Sequence, residues 1–147
     1  MIVRSIPLAA VFLVAGCLGG SQVQVKGPDS QIARLSGEWQ GNYKGTDSGR
    51  EGTIKFNLGL GRHTAKGEVL MYAKGSNEPA QLPIEFVRVS EGKVSGKVGP
   101  YTDPQCACQV ETEFLGNLDG NQIDGTFVTR IEALNLEQAG MWSVARQ

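Results

Sequence analysis

Leu35-Ser36-Gly37-Glu38-Trp39-Gln40-Gly41-Asn42-Tyr43-Lys44 is the stretch from which the fold can be read. Trp39, Gly41 and Tyr43 share one parity, while Glu38, Gln40, Asn42 and Lys44 take the other. Successive side chains of an extended chain point to opposite sides, so this alternation describes a strand with one dry face and one wet face. Such a strand needs neighbours to cover its dry face, and a tryptophan there is bulky enough to plug the inside of a small barrel.

The rest of the chain repeats this grammar. Runs with strand character alternate with Gly, Asn, Asp, Ser and Pro punctuation, and the spacing predicts eight strands: residues 35–44, 53–60, 66–73, 82–90, 93–98, 106–118, 122–131 and 141–146. Glu91-Gly92 and Asp119-Gly120 read as hairpin turns, and residues 132–138 as a helical connection. With 20 glycines in 147 residues and no long helical period, the class is all-β. Eight consecutive strands with short links predict an antiparallel up-and-down β-barrel over residues 35–147. Trp39-x-Gly41-x-Tyr43, Val94-x-Gly96-x-Val98 and Ile123-x-Gly125-x-Phe127 each set a glycine between two apolar residues of one face. Glycine inside a strand marks a bend or a close approach, and here it is expected to leave room in the bore.

Upstream, residues 1–16 combine a basic start at Arg4 with an apolar run and small residues at Ala15-Gly16, the layout of a cleaved secretory signal. The run is too short to span a membrane as a helix. Residues 17–34 lack a sustained apolar face and read as a flexible tether. The formal net charge of −1 carries no basic footprint, so nucleic acid is not an expected partner.

Val14-Ala15-Gly16-Cys17 resembles the lipobox of bacterial lipoproteins, in which an aliphatic and two small residues precede the cysteine that is lipidated. The resemblance implies acyl chains on Cys17 and hence a membrane anchor without a transmembrane helix. Leu18, standing where Asp resembles an inner-membrane retention signal, implies the outer membrane, with the protein facing the periplasm. Gly37-x-Trp39 in the first strand and Trp142-x-x-x-Arg146 in the last resemble the calycin pattern of lipocalins, fatty-acid-binding proteins and avidins. That resemblance implies a lipocalin-like barrel closed at one end by Trp39 lying under Arg146.

Reactive chemistry is sparse. His63 is the only histidine and sits in a Gly-rich turn, which excludes multi-histidine metal sites within one chain and makes a His-dependent triad improbable. Glu111 and Glu113, beside Gln109, read as a wet strand face, and residues 119–125 as a hairpin rather than a calcium loop. No cofactor, metal or enzymatic activity is therefore expected. Cys106 and Cys108 leave three readings open: a local disulfide that needs a bulge or turn, two reduced thiols, or a soft-metal or redox pair. The expected function is binding of a small apolar or amphipathic ligand by Tyr43, Phe56, Phe86, Phe114 and Phe127. The alternative is a filled structural barrel acting as a protein-interaction module.

Overall fold

The computed structural model describes residues 20–72 and 75–147, so the signal segment and Cys17 lie outside the described residues. In chain order the elements are β1 (Ser21–Lys26), α1 (Asp29–Leu35), β2 (Gly37–Gly45), β3 (Glu51–Leu58), β4 (Thr64–Tyr72), β5 (Pro79–Leu82), β6 (Ile84–Ser90), β7 (Lys93–Asp103), β8 (Cys108–Asp119), β9 (Gln122–Ile131) and β10 (Leu136–Arg146). The expected helical connection before β10 shrinks to a single 3-10 turn, Glu132–Leu134, followed by Asn135 in the left-handed region.

The strands form a closed barrel in the order β1-β6-β7-β8-β9-β10-β2-β3-β4, with β4 pairing back to β1. The ring therefore has nine strands where eight were expected, and β5 lies outside it, paired to β4 alone. It is mixed rather than wholly antiparallel, because β1 runs antiparallel to β4 but parallel to β6. The ninth strand comes from the segment expected to be a tether. Val23 and Val25 alternate with Gln22, Gln24 and Lys26, and both valines are buried in the core. Five alternating residues are enough to fill a seam, although too few to stand out beside a Gly/Ser-rich flank. Pro83 interrupts the run that holds β5 and β6, and its missing N–H marks a natural break in a ladder. Above the break β5 pairs with residues 69–72 of β4; below it β1 takes over the 64–67 half.

α1 closes one end of the barrel. It follows Pro28, ends at Ser36, and sends Ile32 and Leu35 into the core. The Leu35 carbonyl accepts a 2.8 Å hydrogen bond from Trp39 Nε1, so the first barrel tryptophan is fixed by the residue that ends the helix.

Inside the wall, the glycines and the aromatics are matched across strands. Tyr43 stands opposite Gly52, Phe56 opposite Gly67, Phe114 opposite Gly96, Phe127 opposite Gly140 and Trp142 opposite Gly125. A Cβ on Gly52 would lie 2.5 Å from Tyr43 Cε1, and one on Gly116 would lie 2.6 Å from Trp142 Cζ2. At Gly52, Gly96, Gly125 and Gly140 the room left by the glycine is occupied by a ring from the neighbouring strand, an arrangement that also pins register, while Gly67 is covered by Ile84 and Val23. Four of these rings form two edge-to-face pairs, Tyr43–Phe127 at 5.7 Å and Phe114–Trp142 at 5.6 Å between centroids.

Two irregularities shift the parity of the wall, between Ile84 and Phe86 on β6 and between Val98 and Tyr101 on β7. An extra residue in one strand flips every side chain beyond it to the other face. The outer face carries cross-strand ion pairs, Lys97 with Glu111 at 2.8 Å and Arg130 with Glu113 and Glu137 at 2.9 Å each. Glu111 and Glu113 belong to that wet face.

Candidate functional site

The barrel interior holds an apolar cavity of about 110 Å³. Tyr43, Phe56, Phe114 and Phe127 all line it, as do Trp39 and Trp142. Phe86 does not. The bulge on β6 turns Ile84 and Val87 inward and leaves Phe86 on the outer wall, where Lys26 Nζ lies 5.0 Å and Arg88 Cζ 5.9 Å from its ring centre. The expected five-residue ligand set loses Phe86 for that reason.

One end of the cavity is sealed by α1 and by Arg146. The Arg146 guanidinium carbon sits 4.3 Å above the Trp39 ring. Its Nη2 donates to the Arg34 carbonyl at 2.8 Å, its Nη1 to the Ser36 carbonyl, and its Nε to Asn121 Oδ1 at 3.0 Å. One cation thus ties the last strand to the end of α1 and to the β8–β9 turn. Gly37 has φ of +117°, and a Cβ there would stand 2.8 Å from Arg146 Nη1, so glycine is needed both for the backbone and for the guanidinium.

The other end is polar, and its charged residues are not among those the sequence leads one to expect. Arg50, buried at 7% exposure, reaches from the β2–β3 loop to pair with Asp103 at the end of β7 and to donate through Nη1 to Gln138 Oε1 on β10. Asp103 is fully buried, and its Oδ1 accepts from the Gln105 amide at 2.7 Å. Close by, Thr112 and Thr129 share a 2.7 Å hydroxyl hydrogen bond between β8 and β9. Burial pushes the phenols of Tyr43 and Tyr101 upward from the ordinary tyrosine value; for Tyr101 a hydrogen bond with Thr112 opposes the shift. Among the described residues, three buried side-chain atoms lack a hydrogen-bond partner: Tyr43 Oη, Arg50 Nε and Asp103 Oδ2, the last held only by its ion pair with Arg50. All three belong to this end.

A signal for Arg50 does exist in the sequence. It shares parity with Ile54, Phe56 and Leu58, the dry face of β3, although Ser48-Gly49 beside it look like an ordinary turn. Asp103 is hidden by the β7 bulge, which moves Tyr101 and Asp103 onto the inner face after Val98.

Cys106 and Cys108 are joined by a disulfide across a Cα–Cα distance of 5.1 Å, with Ala107 at φ +52° making the reversal that two alternate strand residues require. The bridge caps the β7–β8 loop, and the Ala107 amide donates to the Asp103 carbonyl at 2.8 Å. His63 lies on the surface, 3.3 Å from Asp29. Among the described residues no group of three or more His, Cys, Asp or Glu could hold a metal ion. No helix among them is long and apolar enough to cross a membrane.

No family model, curated protein or solved structure matches this chain. The functional reading therefore rests on the barrel's own geometry.

Proposed function

We propose that this chain is a lipid-anchored bacterial envelope protein, held at Cys17 on the periplasmic side of the outer membrane, whose lipocalin-like barrel binds a small apolar or amphipathic molecule. The observation that carries the binding reading is the apolar cavity inside the barrel, lined by Tyr43, Phe56, Phe114 and Phe127. Its size sets the ligand. Drug-sized ligands occupy roughly 300–1,000 Å³, whereas this cavity holds about 110 Å³. An apolar cavity of roughly 150 Å³ accepts benzene, and this one is smaller, so the expected occupant is at most a single ring or a short chain and not a fatty acid.

The second reading, a filled barrel whose outer surface meets a protein partner, is favoured by the rings that cover the wall glycines. Titration with benzene and with dodecanoate separates the two. A rise in melting temperature with benzene but not with dodecanoate supports a compact site. No shift with benzene, with no xenon signal from the interior, leaves the filled barrel.

A further inference from the structure

We infer that the cavity selects an uncharged molecule bearing one hydrogen-bonding oxygen, and that Tyr43 and Arg50 receive that oxygen. The inference rests on the reading of the cavity as a ligand site and adds the chemistry of the ligand's polar end.

A buried guanidinium facing an apolar cavity would ordinarily call for a carboxylate or phosphate on the ligand. Here Asp103 already supplies the negative charge, fully buried and paired with Arg50. A second anion would enter beside Asp103 with no cation left to match it, and an unmatched buried charge is strongly disfavoured. What remains unmet at this end is hydrogen bonding. Arg50 Nη1 donates to Gln138 and Nη2 pairs with Asp103, whereas the buried Nε has no partner at all. Tyr43 Oη is buried and partnerless as well, able to donate or to accept. Both residues line the cavity. Buried polar groups are nearly always satisfied, so two at the mouth of one cavity describe the shape of the missing partner. A hydroxyl or carbonyl oxygen accepts from Arg50 Nε, and Tyr43 completes the set. Everything beyond that oxygen meets Phe56, Phe114, Phe127, Trp142 and aliphatic side chains, so the body of the ligand is apolar.

The test compares probes of similar bulk on the folded protein by calorimetry. Phenol is set against benzene, and butyramide against its isosteric anion butyrate at pH 7.5. The expected result is that phenol and butyramide bind, and that the phenol-to-benzene affinity ratio falls about tenfold in Tyr43→Phe, the worth of one hydrogen bond. Tyr43→Phe keeps the ring that covers Gly52, so its fold is retained, and benzene affinity in the variant serves as the control. If benzene binds but the ratio is unchanged in the variant, the polar-end assignment is overturned while the binding reading stands. Butyrate binding as tightly as butyramide overturns the selection against charge. If neither benzene nor phenol binds, the ligand site itself fails, and this inference fails with it.

Discussion

Tyr43 holds a hydroxyl in the barrel with no partner, and its ring is the part the fold uses: it covers Gly52 and meets Phe127 edge to face. Leaving a buried polar group unsatisfied costs about 1–3 kcal/mol. We therefore expect Tyr43→Phe to melt at or above the wild-type temperature in the absence of ligand; a clear loss of stability would show that the hydroxyl has a partner. The same burial makes the phenolate costly. The folded phenols of Tyr43 and Tyr101 are raised above the unfolded tyrosine value of about 10. Their neutral forms contribute stability that is fully present below that value and is lost as pH rises beyond it, since the unfolded chain releases those protons first. Absorbance titration should accordingly show these two tyrosines ionising only as the barrel unfolds at alkaline pH, and Tyr43→Phe should extend the stable range upward. At the opposite end Trp39 is 1% exposed and is fixed both by Leu35 and by the Arg146 cation. Trp39→Ala should cost about 3–5 kcal/mol by urea unfolding, and a change below 1 kcal/mol would show that the ring is dispensable.

β1 is the element that changes the architecture. Val23 is fully buried, so Val23→Asp should place an unpaired charge in the core and cost several kcal/mol; a flexible tether would accept the same change without effect. The strands of the barrel were legible because their alternation runs for many residues, as in β2, where Glu38, Gln40, Asn42 and Lys44 stay exposed around the buried Trp39. β1 was not, because Val23 and Val25 alone carry its pattern and their value depends on a seam built by distant strands. Phe86 was misassigned for a similar reason. A bulge is a tertiary choice, and nothing in Ile84-Glu85-Phe86-Val87 says which residue will be the extra one. The polar end suffered twice, since Arg50 lies in a loop and Asp103 follows the second bulge. The end of the barrel that holds Trp39 and Arg146 was readable because these residues sit in the first and last long strands, which register Arg146 directly against Trp39.

For the molecule as a whole, the anchor and the barrel make separate claims. Cys17→Ser should leave the fold's melting temperature unchanged and move the protein from the detergent phase to the aqueous phase; partitioning equal to wild type would refute lipidation at that residue. The seam would give the proposed anchor and the barrel a mechanical relation. β1 is the first strand among the described residues, and it is wedged between β4 and β6 with short ladders on both sides. Tension applied lengthwise through the N-terminal end loads those ladders in shear, so their hydrogen bonds must yield together rather than one at a time. The wall would thus part first between β4 and β6, beside Ile84 and Val87 of the cavity lining, before the longer ladders from β7 to β10 carry appreciable strain. If Cys17 is anchored as proposed, a pull on that anchor would open the barrel along its flank.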